Sequence, residues 1–225
     1  MSSPTQVPRV RRSTLGDDVY EAIKTLVMEH SLAPGDRVNI DALARELEVS
    51  PTPVREALAR LESDGLVRKR PLAGYTVSPL LTREEFTDMF DMRLVLEGAA
   101  ARWAAERAGA AQRTAIATES VAVPNLDRAD KDGRRSHAAF TALDARFHNL
   151  VADAAGNPLL RDAIGRLHAH LHIHRLYFPY AQTGTTGDEH RLIADAIGAG
   201  DPDAAEAAMR AHLSAARVRH LPAFD

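Results

Sequence analysis

The sequence predicts a mainly α-helical chain in two parts: a small three-helix unit closed by a β-hairpin, then an all-α antiparallel helical bundle. Three observations predict it. Residues 13–80 hold short one-faced helical patterns and a single hairpin signal, nothing from Thr82 onward reads as a strand, and turn residues cut that second part into lengths suited to packed helices. The 225 residues, 45% hydrophobic and 26% charged, suit two modest domains that each bury a core.

The first helix of the N-terminal part starts after Ser13 or Thr14, either of which can cap it, and runs to about His30 with Val19, Ile23, Leu26 and Val27 on one face. Ile40, Leu43, Ala44 and Leu47 then stand at i, i+3, i+4 and i+7 of a second helix. Glu48 and Val49 leave room only for a tight turn. Ser50 can cap a third helix, and Pro51 and Pro53 fall in its first turn, where a missing N–H costs little. Val54, Ala57, Leu58 and Leu61 form its buried stripe, and Gly65 ends it in the left-handed conformation. Leu66 to Arg70, the turn Pro71-Leu72-Ala73-Gly74 and Tyr75 to Val77 make the hairpin.

Two helices joined by so short a turn, followed by a hairpin, read as a winged helix-turn-helix, whose second helix enters the major groove of double-stranded DNA by its N-terminal end. Ser50, Thr52, Pro53, Arg55 and Arg60 on that helix, and Gly74 at the tip of the wing, are the candidate DNA-contacting residues. Charge alone would not nominate DNA: residues 1–80 carry 11 basic and 11 acidic side chains, and the whole chain has net charge -3. The cations are clustered instead, at Arg9, Arg11 and Arg12 of a flexible basic tail (residues 1–12) and at Arg68, Lys69 and Arg70 of the wing. For the tail, a merely solvated cluster is an equally good reading.

On these residues the segment 13–80 resembles the DNA-binding domain of the GntR family of bacterial transcription regulators. The resemblance is carried by Val49-Ser50-Pro51-Thr52-Pro53-Val54-Arg55-Glu56-Ala57-Leu58 with Leu61-Glu62-Ser63-Asp64-Gly65-Leu66-Val67. Many members have a DNA-contacting arginine where this chain has Pro51. Arg55 matches the family's second recognition arginine, so the resemblance implies the same docking without the same base preference.

In the second part, Thr82-Arg83-Glu84-Glu85 is a capping box opening a long helix to about Ala108, with Phe86, Met89, Phe90, Leu94, Leu96, Ala100 and Trp103 and a candidate interruption near Phe90. Further helices are predicted at roughly 110–122, 135–155, 158–178, 187–199 and 202–218. Asp201 caps the last, with Pro202 at its first position.

Nine of the ten histidines lie in this part. Asp144 and His148 stand four apart, which stacks both heads on one helix face as two ligands to one ion require. His168/His172 and His170/His174 have the same spacing, so spacing leaves three candidate pairs, although alternation sprays the 168–174 imidazoles around the helix. One of those pairs can still point inward. His190 opens a later helix and His212 lies in the last, so each can add an imidazole. Three imidazoles and a carboxylate suit a divalent ion: zinc first, with nickel, cobalt or manganese as alternatives. His30, His137 and His220 read as ordinary structural or surface groups.

Residues 82–220 resemble the all-helical effector domain of the FadR subgroup of that family, through Arg93-Leu94-Val95-Leu96-Glu97, Asp144-Ala145-Arg146-Phe147-His148, Glu189-His190-Arg191-Leu192-Ile193 and Met209-Arg210-Ala211-His212-Leu213. The resemblance implies that Asp144, His148, His190 and His212 hold a metal beside a cavity for a small organic acid, which makes 81–225 the metal-binding, effector-binding and dimerisation domain. It further implies a repressor that binds a palindromic operator as a homodimer. Arg93 is the candidate anion clamp, and an intrahelical pair with Glu97 explains it almost as well. Two rival readings stand beside this one: a metal-dependent hydrolase, with Glu189 as a weak general-base candidate, and a regulator whose metal is only structural. Without cysteine, an apolar leader or an 18-residue apolar run, the chain is expected in the cytoplasm, with no membrane partner.

Overall fold

The structure is a computed structural model that describes residues 15–70, 74–122, 134–177 and 185–225. Two compact units divide the chain, Met1–Ser78 and Pro79–Asp225. The predicted caps Ser13 and Thr14, the basic tail, the wing-tip residues Pro71 to Ala73 and the side chain of His137 lie outside the described residues.

The first unit contains α1 (Leu15–Met28), β1 (Arg37–Val38), α2 (Ile40–Glu46), α3 (Pro51–Ser63), β2 (Val67–Arg70) and β3 (Gly74–Val77). Val19, Ile23 and Val27 of α1 are buried, as are Leu43 of α2 and Val54, Leu58 and Leu61 of α3, while Leu26 is only partly covered. The strands form an antiparallel sheet in the order β1-β3-β2, with Arg68 opposite Thr76 and Lys69 opposite Tyr75. β1 is a strand that the sequence did not announce. Two residues cannot display an alternation, and Arg37–Val38 is a strand only because β3 pairs with it.

One expected cap is absent. Ser50 occupies the N-cap position of α3, but its side chain makes no capping hydrogen bond. Pro53 removes one of the two donors such a cap can use: an N-cap oxygen accepts from the second or third helical N–H, and proline at the third has none. Past the other end, Gly65 has φ +73°, the expected left-handed residue beyond the helix.

The second unit consists of α4 (Arg83–Arg107), α5 (Ala110–Ser120), α6 (Arg134–Ala154), α7 (Pro158–Arg166), α8 (Ala169–Tyr177), α9 (Thr186–Ala199), α10 (Pro202–His220) and a 3-10 turn at Leu221–Phe224. The capping box opens α4 with both reciprocal bonds, Glu85 N–H to Thr82 Oγ1 at 3.2 Å and Thr82 N–H to Glu85 Oε2 at 2.9 Å. No interruption occurs near Phe90. Phe86, Phe90, Arg93 and Glu97 fall on one buried face, and nothing between them breaks the backbone ladder. The predicted helix 158–178 is instead two helices, because His168 adopts φ +45°, a left-handed conformation that ends one helix and re-aims the next.

The bundle core explains how α4, α6, α9 and α10 approach one another. Ala101, Ala104 and Ala105 of α4 and Ala205 of α10 are buried with Phe147, Ile193, Ile197, Met209 and Leu213. Small side chains keep the packed helices close, and a Cβ on Gly98 would already stand 3.3 Å from Arg210 Cγ. Arg113 of α5 ties helix ends together, donating to the carbonyls of Ala105, Ala108 and Gly198 at 2.8–3.0 Å. Among the described residues no helix is long and apolar enough to cross a membrane.

Candidate metal centre and nucleic-acid interface

The bundle positions four side chains from three helices around one point. Asp144 and His148 sit one turn apart on α6, His190 lies in the first turns of α9, and His212 lies in α10. One ligand atom from each falls within 4.8 Å of all the others. His148 Nε2 is 3.2 Å from His212 Nε2, and Asp144 Oδ1 is 3.3 Å from His190 Nε2 and 3.9 Å from His148 Nε2. Donors sharing one ion through bonds of about 2.0–2.2 Å stand roughly 3–4 Å apart, so these separations fit a common centre.

Outer partners orient two of the three imidazoles. His148 Nδ1 donates to Glu97 Oε2, and Glu97 Oε1 accepts from Arg93 Nε at 2.6 Å. His212 Nδ1 donates to Glu189 Oε2 at 2.8 Å, and Glu189 accepts Arg219 through both Nη atoms at 2.6 and 2.8 Å. With each Nδ1 carrying its proton, each Nε2 turns a lone pair inward, the tautomer that a metal ligand needs. His190 differs. Its ring stacks on Phe147 with centroids 3.9 Å apart, and its Nδ1 is buried with no hydrogen-bond partner among the described residues. Although His190 Nε2 lies close to Asp144, the approach does not meet hydrogen-bond geometry, so a buried donor set remains only partly satisfied.

Electrostatics suit ligation. Burial drives the His148 imidazole down to about 3 despite the pull of Glu97, and it lowers His212 against Glu189. Both are therefore neutral near pH 7 and able to donate a lone pair. Burial pushes the Asp144 carboxyl up, but His170 and His190 outweigh it and hold the group well below the usual carboxylate range. At Glu189 burial again raises the value, and His212 with Arg219 overcomes it to leave the carboxyl at about 2.

Beside this cluster lies a cavity whose walls include Arg93, Thr141, Asp144, His170, His212 and Arg219. Arg93 is 2% exposed, and it is not committed wholly to Glu97: its Nη2 is buried without a hydrogen-bond partner among the described residues. The pair with Glu97 is present, and the same side chain also lines the cavity. The outer carboxylates Glu97 and Glu189, with Arg219, had no assigned role as imidazole partners. Their signal was present, since Glu97 follows Arg93 by four residues and Glu189 immediately precedes His190, but only packing shows which imidazole each one meets. From the 168–174 run, His170 reaches Asp144 and His174 is buried against Thr141, while Nδ1 of His172 is buried as well.

In the first unit, Ser50, Thr52 and Arg55 are exposed at the start of α3, Pro53 is half-buried, and Gly74 is exposed with φ +78°. Arg55 has no ion pair among the described residues. Arg60 is engaged differently: it pairs with Asp17 of α1 at 2.9 Å and lies over the Tyr20 ring at 4.1 Å. Its guanidinium thus bridges α3 to α1 while remaining about half exposed, a contact that sequence alone could not show and one that does not remove Arg60 from the candidate DNA-contacting face. Arg68, Lys69 and Arg70 are exposed along β2, joined by Arg37 on β1 as a further cation of the same sheet.

A helix-turn-helix with a wing, in one chain with an all-α unit that gathers an Asp/His cluster, is the architecture of a transcription regulator with a DNA-binding head and a helical effector domain. The chain belongs to the bacterial regulatory proteins of the gntR family, whose model matches residues 15–77, and carries an FCD domain, whose model matches residues 88–215. It is 28% identical over 240 residues to the HTH-type transcriptional repressor NanR of Salmonella paratyphi A, an alignment spanning 94% of this chain and 89% of that protein. An HTH-type transcriptional regulator from the TAR-I ttuE-ttuC' intergenic region of Agrobacterium vitis is 35% identical over 142 residues, 60% of this chain and 78% of the relative. The structure of E. coli McbR/YncC superimposes with TM-score 0.72 at 19% identity, covering 95% of this chain and all of that one, and shares the fold. These families and relatives are transcription regulators and not enzymes, which removes the hydrolase reading.

Proposed function

We propose that this regulator is a repressor that binds a palindromic operator as a homodimer and that a small carboxylate effector, seated at a divalent-ion site in the bundle, alters its affinity for DNA. The observation that carries the reading is the convergence of Asp144, His148, His190 and His212 beside a cavity lined by the incompletely paired Arg93. Those four residues would hold the ion, with zinc the first candidate and nickel, cobalt or manganese the alternatives. When bound, such an ion supplies Lewis-acid positions for an effector's carboxylate or hydroxyl oxygen. Arg93 offers the complementary charge-assisted hydrogen bond from Nη2, while its Nε remains on Glu97. Burial of these groups excludes water and strengthens that contact.

In the head, Thr52 and Arg55 reach base edges, Ser50 and Gly74 approach the backbone, and Arg68, Lys69 and Arg70 meet phosphates. Two heads of a dimer must match half-sites set by the helical repeat, so a ligand that favours one arrangement of the dimer changes operator affinity. Arg55→Ala is expected to weaken binding to a duplex selected from a random pool by about 10- to 100-fold, or about 1–3 kcal/mol, in fluorescence anisotropy at fixed salt. A change below two-fold would remove Arg55 from the base-reading set.

The effector reading is tested by thermal unfolding with a panel of small organic acids, with and without chelator. A stabilising acid is expected to lose its effect in chelator and in Arg93→Ala. Acid stabilisation that survives metal removal would leave the ion a purely structural role.

A further inference from the structure

The two oxygens of Asp144 face different neighbours. Oδ1 lies toward the imidazoles of His190 and His148, at 3.3 and 3.9 Å, whereas Oδ2 lies 3.0 Å from Nδ1 of His170. His170 belongs to α8 and is not among the four clustered donors, yet it lines the cavity together with Arg93 and Thr141. We infer that His170 is a positioning residue: by donating its Nδ1 proton to Oδ2, it fixes Asp144 as a one-oxygen ligand and so keeps a coordination position open on the cavity side.

The chemistry follows from the carboxylate. Either one oxygen or both can bind a single ion, and chelation through both requires Oδ2 to turn toward the imidazoles. The N–H of His170 holds Oδ2 away from them, leaving three nitrogens and one oxygen as the protein's donors. On an ion that accepts five or six ligands, the positions left over are those an effector can take. His170 would thereby limit Asp144 to one donor oxygen, a role that rests on the metal-site reading proposed above.

The backbone supports this assignment independently. His168, with φ +45°, breaks the run between α7 and α8 in a conformation that L-residues rarely adopt, and α8 begins at the next residue. The break places His170 in the first turn of a re-aimed helix, where its ring centroid is 5.1 Å from that of His148. An uncommon backbone conformation that delivers a particular side chain to a buried cluster is the pattern expected of a functional constraint.

Cobalt(II) titrated into the full-length protein tests the role, because its visible absorption weakens as coordination number rises and thus reports geometry directly. In His170→Ala, Asp144 is free to chelate: the visible bands are expected to weaken and cobalt affinity to shift by about ten-fold, the scale of a lost outer partner. His170→Gln retains an N–H donor and is expected to restore both. Identical spectra and affinities for wild type and His170→Ala would overturn the positioning role while leaving the metal site standing. Failure of the wild-type chain itself to bind cobalt at one ion per chain would overturn both.

Discussion

Glu97→Gln is expected to destabilise the helical unit by about 3–5 kcal/mol, the cost of leaving one partner of a buried ion pair uncompensated. Arg93 and Glu97 are both almost wholly buried and meet at 2.6 Å, and the second oxygen of Glu97 carries His148. Burial by itself raises the Glu97 carboxyl, but Arg93 and His148 together hold it far below the usual range, so it is ionised wherever the chain is folded near neutral pH. Glutamine keeps the shape and some of the hydrogen bonds while removing the charge. The guanidinium then remains in the interior without its counter-charge. For a chain of this size, the loss corresponds to a fall of roughly 6–20 °C in unfolding midpoint, read by circular dichroism in chelator so that metal affinity does not contribute. An unchanged midpoint would show that Arg93 finds another partner, which would also weaken its assignment to the effector.

His212→Ala is expected to reduce zinc affinity by more than about 100-fold in calorimetry, exceeding the loss that follows removal of an outer partner. This ligand is the informative one to remove because its carboxylate partner does not become stranded: Glu189 stays paired with both Nη atoms of Arg219. The variant should therefore fold, and its unfolding midpoint should no longer rise when zinc is added, whereas the wild-type midpoint rises with the logarithm of metal concentration. Equal zinc affinity in the variant and the wild type would exclude His212 from the ligand set, and with it the shared centre inferred from its 3.2 Å approach to His148.

Much of the fold was legible because its signals are local. The stripe Val54, Ala57, Leu58, Leu61 follows from helical periodicity, the Thr82–Glu85 box and the Asp201–Pro202 start follow from hydrogen-bonding needs at helix ends, and Gly65 follows from a conformation few other residues tolerate. The differences have more than one source, and only the first of them is a distant partner. Arg37–Val38 became a strand through β3, Ser50 lost one of its two cap donors to the proline three residues on, and His168 took a left-handed turn inside a run whose side chains continue a helical pattern.

The site divides in the same way. Residue type and four-residue spacing named Asp144 and His148 as one candidate pair among three, and a family resemblance was needed to join them to His190 and His212. Chain chemistry by itself determined which residue types can serve as ligands, most of the helix caps and which faces are apolar, since these depend on residues within a turn or two of one another. Tertiary structure alone decided that Glu97 and Glu189 back the imidazoles, that His170 takes the second oxygen of Asp144, and that Arg60 reaches α1. Those contacts join residues 23 to 51 positions apart, and the sequence cannot express them because an imidazole's partner is set by which helices pack together.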